Sequence, residues 1–423
     1  MKIAIIGAGS TYTPELIDGF IKRHSSFSVK ELSFMDIDPG RLGILSEFSK
    51  KMIKKAGVSI NISATTVLEE AIKEASFIIS QIRVGGQSAR VFDEKIALES
   101  EVIAQETTGA GGFSCALRTI PVMLEIGKKV KEISPSAWLI NFTNPSGIIT
   151  EALLQKTGIK AAGLCNVPLV MERHFAGLLD IKGKLELDYA GLNHLSWVVD
   201  AFHNRKSVME ELLKKGDELL RLKKDEESLI KESTIDAIGI IPSPYLRYFY
   251  YEKKILEEQK NVPLRAEKVK EIENNLLKEY SKKNFKNLPE LLMERGGSLY
   301  SESAINVIKA LVSEKESIQI VNYSQQGAFN DMKKENVMEL PFKISSRGIS
   351  PSYKGRVLPQ FAAVLIKRIK MFEEFTIEAA LTGSREKAIN ALKIHPLVGN
   401  SVKAEEILNK ILEVHKQYLP AFK

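Results

Sequence analysis

The chain has 423 residues, 44% of them hydrophobic and 27% charged, which describes a globular protein long enough to build two cores. Two cysteines cannot build a disulfide framework, and no window reaches the roughly 18 to 20 apolar residues of a membrane span. The net charge of +7 is carried by lysines interspersed with acids, as in "EELLKKGDELLRLKKDEESLIKES" (210–233), with no basic block or zinc-finger spacing, so nucleic acid and membrane are not expected partners.

From its first residues the chain runs into "KIAIIGAGS" without the order of basic, apolar and cleavage segments that marks a secretory signal, and a reducing cytoplasm is the expected location. Six short β-branched runs follow, at 2–8, 31–37, 58–64, 76–82, 137–143 and 160–166. Amphipathic segments such as "TPELIDGFIKRH" lie between most of them. Continuous apolar strands alternating with helices predict a parallel, doubly wound α/β sheet of Rossmann type, whose ligands sit beyond the carboxyl ends of the strands. After about residue 167 the pattern changes to strand–turn–strand at 185–203, then to helical stretches near 207–232, 244–259, 263–282 and 300–313. A β-like region at 316–350 precedes a helical C-terminus from about 357. This predicts a nucleotide-binding domain over 1–166 and a second, mixed α+β domain over 167–423. No Pro/Gly-rich linker separates them, so the junction is expected to be tight.

Chemistry-bearing residues cluster at the predicted strand ends. "GAGSTY" follows the first strand. Gly7 permits the tight bend of a phosphate-binding turn and Gly9 a close backbone approach, while Tyr12 stands where the usual third glycine would be. Asp36 ends the second strand, where an acid accepts hydrogen bonds from a ribose diol and repels a 2′-phosphate, favouring NAD+ over NADP+. Asp38, ahead of Pro39, reads as a helix cap. "QIRVGG" (81–86), "QETTGAGGFS" (105–114) and "NFTNPSG" (141–147) mark further polar loops on the same predicted edge. Cys165 in "GLCNVP" and His194 in "GLNHLSW" are 29 positions apart, which is no zinc-finger spacing. From the residues alone Cys165 stands open as core packing, a nucleophile or half of a metal site.

Taken together, "GAGSTYTP", "QETTGAGGFS", "NFTNPSG", "GLCNVP", "GLNHLSW", "PYLRYFY" and "RGGSLYS" (295–301) resemble glycoside hydrolase family 4, the NAD- and divalent-metal-dependent 6-phosphoglycosidases. The resemblance implies an architecture like that of lactate and malate dehydrogenases, and roles residue by residue. Cys165 and His194 match the protein ligands of a Mn2+-type ion, and Tyr245 the catalytic base. Gly7, Gly9, Ser10 and Asp36 match the cofactor-binding region. Asn144, Arg83 and Arg265 fall at positions associated with the cofactor or the sugar phosphate. The implied reaction is hydrolysis by oxidation at carbon 3, loss of the carbon 2 proton, elimination, addition of water and return of the hydride. It also implies a homo-oligomer, a dimer or tetramer.

Asn166 follows the candidate metal cysteine where α-acting members tend to carry Asp, so 6-phospho-β-glucosides, as phosphorylated disaccharides or aryl glucosides, are the expected substrates and Asn166 a substrate contact. The alternatives are a 6-phospho-α-glucosidase and a metal-independent 2-hydroxyacid dehydrogenase. No His–Asp relay is evident around His194 to favour the latter.

Overall fold

The computed structural model describes residues 1–222, 230, 232–282, 287–295 and 299–422. The six predicted runs form strands β1 (Lys2–Ile6), β2 (Glu31–Met35), β3 (Asn61–Thr65), β4 (Phe77–Ser80), β5 (Trp138–Asn141) and β6 (Lys160–Gly163). They pair in parallel in the order β3–β2–β1–β4–β5–β6. Five of the six runs extend past their strands, where the chain leaves the ladder to form loops, while the third, 58–64, starts before β3 and stops one residue short of its end. The order reverses between β1 and β4, which opens a crevice at their carboxyl ends.

Four further strands, β7 (Glu186–Leu192), β8 (Leu195–His203), β9 (Lys206–Ser207) and β10 (Ile241–Pro242), make a separate antiparallel sheet. The predicted β-like region forms β11 (Ser317–Ser324), β12 (Val337–Ser345) and β13 (Gly348–Pro351). These join the edge of the first sheet, β11 lying antiparallel to β6 through Asn322 opposite Gly163. Among the described residues the large sheet therefore has nine strands, and it runs across the expected 166/167 junction. Among the described residues no helix is long and apolar enough to cross a membrane.

Two predicted helices are not continuous. The 207–232 stretch forms Met209–Leu213 and a 3-10 turn at Gly216–Leu220, with a further helix beginning at Glu232. Gly216, the first residue of the 3-10 turn, takes φ +54 and breaks the helical run, while 223–229 and 231 lie outside the described residues. The 244–259 stretch breaks at Tyr251 into Arg247–Tyr250 and Glu252–Lys260. Asp38 does cap its helix, accepting from the N–H groups of Gly40 and Arg41.

A buried ion cluster ties the helix Gln360–Thr382 to the nucleotide-binding half. Lys370, on the helix Gln360–Thr382, pairs with Glu151 at 2.7 Å and with Glu373, and donates to the Val337 carbonyl at 2.8 Å. Glu151 also accepts from the Val337 N–H, so one group of charges joins the helix Ser146–Thr157, β12 and the helix Gln360–Thr382. Removing one member leaves uncompensated charge in the core. Lys370→Ala is expected to destabilise the protein by about 3–5 kcal/mol, read as a lower urea midpoint. An unchanged midpoint would show that the cluster is not structural.

Candidate active site

A single cleft of about 1990 Å³ opens along the carboxyl ends of β1, β2, β4 and β5. Gly7, Gly9, Ser10, Asp36, Arg83, Asn144, Asn166, His194, Tyr245 and Arg265 all line it. Cys165 lies just behind this wall, 7% exposed, with its Sγ 3.4 Å from His194 Nε2.

At the nucleotide end, Gly7 has φ +85 and turns the chain out of β1. A Cβ on Gly9 would stand 2.7 Å from Asp36 Oδ2, so only glycine permits this close approach. The Gly9 N–H donates to Asp36 Oδ2 at 2.8 Å and the Asp38 N–H to Oδ1 at 3.0 Å, which fixes the carboxylate at the end of β2. The helix Thr13–Lys22 starts immediately after, its N-terminus facing the cleft as a dinucleotide pyrophosphate requires. The missing third glycine has a structural replacement. Tyr12 packs its ring edge-on against Tyr300 at 5.4 Å, with the Arg295 guanidinium 4.5 Å from it. These residues fit a dinucleotide.

At the other end three candidate residues meet. His194 sits in the turn between β7 and β8 with φ +64, a conformation a non-glycine residue adopts only when its surroundings hold it there. Its ring stacks on Tyr245 at 3.7 Å and 4°. Two ligands at about 2.3 Å (sulfur) and 2.0–2.1 Å (nitrogen) from a common ion lie at roughly the separation seen here between Sγ and Nε2. The pair fits a divalent metal. Among the described residues no group of three or more His, Cys, Asp and Glu gathers to hold an ion. The pair would thus leave most of a metal's shell to other donors.

The electrostatics are those of a dry site. Burial and the nearby Glu339 push the Cys165 thiol above its ordinary range, and burial brings His194 down to about 4, so its imidazole is neutral at physiological pH. Enclosure, with Cys165 close by, pushes the Tyr245 phenol well above its ordinary value. Burial opposes ionisation of Glu106, but the guanidinium groups of Arg90 and Arg83 outweigh it and hold the carboxyl down at about 2.

The two arginines differ in placement. Arg83 is ion-paired to Glu106 at 3.0 Å within the cleft, and Arg90 meets the same carboxylate at 2.9 Å. Arg265 is exposed at the rim, donating to the carbonyls of Glu294 and Arg295. Glu106, Arg90, Glu273, Arg295 and Tyr300 line the cleft but were not among the expected site residues. Glu106 was legible as an acid inside "QETTGAGGFS". Glu273 was not, because on a charged helix face it resembles any solvated acid until Arg295 is seen at 2.6 Å. Of "RGGSLYS", residues 296–298 lie outside the described residues.

The glycines of "QETTGAGGFS" have a packing reason. A Cβ on Gly111 would meet the Gln105 carbonyl oxygen at 2.2 Å, and one on Gly112 the Thr107 carbonyl carbon at 2.4 Å. The loop 105–108 is folded directly onto the first turn of the helix Gly109–Ile133, which delivers Glu106 and Thr107 into the site.

Comparison with known proteins decides the family. Residues 2–181 match the family 4 glycosyl hydrolase model, and residues 189–398 match the C-terminal domain of the family 4 glycosyl hydrolases. A probable 6-phospho-beta-glucosidase of Bacillus subtilis is 40% identical, covering 100% of this chain and 98% of its own.

The chain belongs to glycosyl hydrolase family 4.

As a member of this family it is a glycosidase. The solved 6-phospho-beta glucosidase of Thermotoga maritima, with manganese, NAD+ and glucose-6-phosphate, superposes with a TM-score of 0.92 at 36% identity over 99% of both chains. A 6-phospho-alpha-glucosidase from gut microorganisms, in complex with NAD and Mn2+, gives a TM-score of 0.88 at 26% identity over 100% of this chain and 99% of its own. The fold alone is shared with the malate dehydrogenase of Plasmodium falciparum, at a TM-score of 0.53 and 15% identity over 90% of this chain. That fits the dehydrogenase-like architecture expected of the family.

Proposed function

We propose that this protein hydrolyses 6-phospho-β-glucosides using bound NAD+ and a divalent ion, most simply Mn2+. The observation that carries this reading is the meeting of His194 and Tyr245 in the same cleft as the Gly7–Ser10 turn, with Cys165 against His194 just behind the wall. When bound, NAD+ would supply reversible hydride acceptance from carbon 3, and the divalent ion Lewis acidity at the oxygens of carbons 2 and 3.

The chain's own residues do the rest. Gly7, Gly9 and Ser10 seat the dinucleotide phosphates, and Asp36 accepts from the ribose diol. Cys165 Sγ and His194 Nε2 hold the ion. Tyr245 Oη takes the carbon 2 proton. With its pKa well above 10 in the enclosed site, the phenol can act as a base only when positive charge beside it lowers that value. The stack of Tyr245 on His194 would put it beside an ion held by that imidazole. Asn144 contributes to cofactor and sugar contacts, and Arg83 and Arg265 suit a phosphate dianion, Arg83 after releasing or sharing its hold on Glu106.

The β-linkage rests on Asn166, which carries no acid to protonate a leaving group from the α side, and on the 36–40% identity to proteins named 6-phospho-beta-glucosidases against 26% to the α-acting structure. On this reading residues 1–166 supply the nucleotide cradle and Cys165, and residues 167–423 supply His194 and Tyr245. A cytoplasmic homo-oligomer acting on phosphorylated disaccharides or aryl phosphoglucosides completes the proposal.

The test is a chromogenic 6-phospho-β-glucoside with NAD+, Mn2+ and a thiol reductant. Aglycone release without net NADH is expected. Turnover undiminished after removal of both NAD+ and metal would overturn the mechanism. Preference for the α-linked isomer would overturn the assignment of Asn166, and stoichiometric NADH would point to a dehydrogenase.

A further inference from the structure

His194 has a partner on each ring nitrogen. Nε2 faces Cys165 Sγ, and Nδ1 lies 2.7 Å from Thr107 Oγ1. Which nitrogen carries the proton follows from what else Thr107 touches.

Gln105 Oε1 accepts from the Thr107 N–H at 2.5 Å and the Thr108 N–H at 3.0 Å. Two backbone donors on one atom fix that atom as the amide oxygen, because an NH2 group in its place would face both donors with no lone pair. The same oxygen lies 2.8 Å from Thr107 Oγ1. A carbonyl oxygen has no proton to give, so the one hydrogen between these two oxygens is the threonine's. Thr107 has then spent its only proton. Its 2.7 Å contact with His194 Nδ1 needs a hydrogen as well, and this one can come only from the ring. Nδ1 is therefore the N–H, and Nε2 carries the lone pair.

We propose that Thr107, its hydroxyl held by Gln105, is a positioning residue that fixes His194 as the Nδ1–H tautomer and turns an unprotonated Nε2 toward Cys165. The tautomer stands on these hydrogen bonds alone, while its consequence for metal binding rests on the function proposed above. Metal-binding histidines are commonly oriented through the ring nitrogen that does not bind the ion, and loss of such a partner typically weakens binding 10–100-fold. The arrangement also gives the glycine-rich loop a purpose. Gly111 and Gly112 allow residues 105–108 to fold back tightly enough to bring Thr107 under the imidazole.

The test uses the full chain labelled with 15N-histidine, with His194 assigned by difference from a His194→Gln variant. Metal-free wild-type protein is expected to show the Nδ1–H tautomer. Thr107→Val removes the acceptor and is expected to shift the population toward Nε2–H, with Mn2+ affinity down by about 10–100-fold, read from the free-ion EPR signal. Thr107→Ser keeps the hydroxyl and is expected to restore both, which a packing defect would not. Thr107→Val with an unchanged tautomer overturns the proposal, as does a wild-type His194 that is Nε2–H from the start. Wild-type protein that shows the Nδ1–H tautomer but binds no Mn2+ supports the positioning and overturns the metal role assigned to His194.

Discussion

Cys165→Ser is expected to lower metal-supported turnover by roughly 10²–10³-fold, the several kcal/mol that a Lewis acid contributes, while leaving the protein folded. The thiol's other partners are local. It is buried at the carboxyl end of β6 beside His194 Nε2 at 3.4 Å and Asn166 Oδ1 at 4.0 Å, and the Asn166 and Val167 N–H groups and the Asn193 side chain also hydrogen-bond to it. A serine fits the same space and can hydrogen-bond to the imidazole, so the melting temperature is expected to move by less than about 4 °C. What serine cannot supply is a thiolate. Ionisation of Cys165 is opposed by burial and by Glu339, so in the metal-free protein the group stays a thiol, and a bound cation is what stabilises its anion. Mn2+ titration followed by EPR, alongside kcat at saturating Mn2+, separates the two consequences. Wild-type metal dependence in the serine variant would remove Cys165 from the ligand set.

Tyr245→Phe is expected to reduce kcat by about 10²–10⁴-fold, the usual contribution of a positioned general base, with little change in KM or in affinity for the metal and NAD+. The ring itself is retained, so its 3.7 Å stack on His194 and its contact with Tyr248 persist. Only the Oη is lost. Exchange of the carbon 2 proton with solvent deuterium should fall in step with turnover. If exchange survives while turnover falls, another group takes the proton, and Tyr245 serves the reaction by shaping the pocket.

Much of this site was legible before any coordinate. Four of the six parallel strands are followed by residue types that strand packing does not explain: glycines after β1, Asp36 after β2, Arg83 after β4 and Asn144 after β5, with Cys165 after β6 left open. In a doubly wound sheet these ends converge at the switch point, so a run of polar strand ends already describes one site. Asp38 was legible as a cap because the signal is local, an acid one residue before a proline. The 207–232 stretch misled for the opposite reason. Its charges keep helical spacing, but Gly216 turns the chain out of the helix and the local pattern does not show where the pieces pack.

Glu106, Thr107 and Glu273 show where sequence reading stops. Glu106 and Thr107 lie in a quoted motif, yet their roles depend on Arg83, Arg90 and His194, partners 16 to 87 positions away. Glu273 depends on a helix face turned toward Arg295 and Arg41. Nor did the spacing of β11–β13 reveal that they would extend the first sheet, since an antiparallel edge strand can join any exposed ladder and its register is set by packing.

The sequence by itself determined the strand–helix alternation, the nucleotide turn, the family and the set of residues carrying chemistry, because each rests on local residue type, periodicity or short motifs. Only the tertiary structure decided that Cys165 and His194 are 3.4 Å apart, that Tyr245 lies flat on the imidazole, and that Thr107 leaves its ring a single proton position. Those are distances between groups on different elements, and they are set by how the elements pack around the cleft.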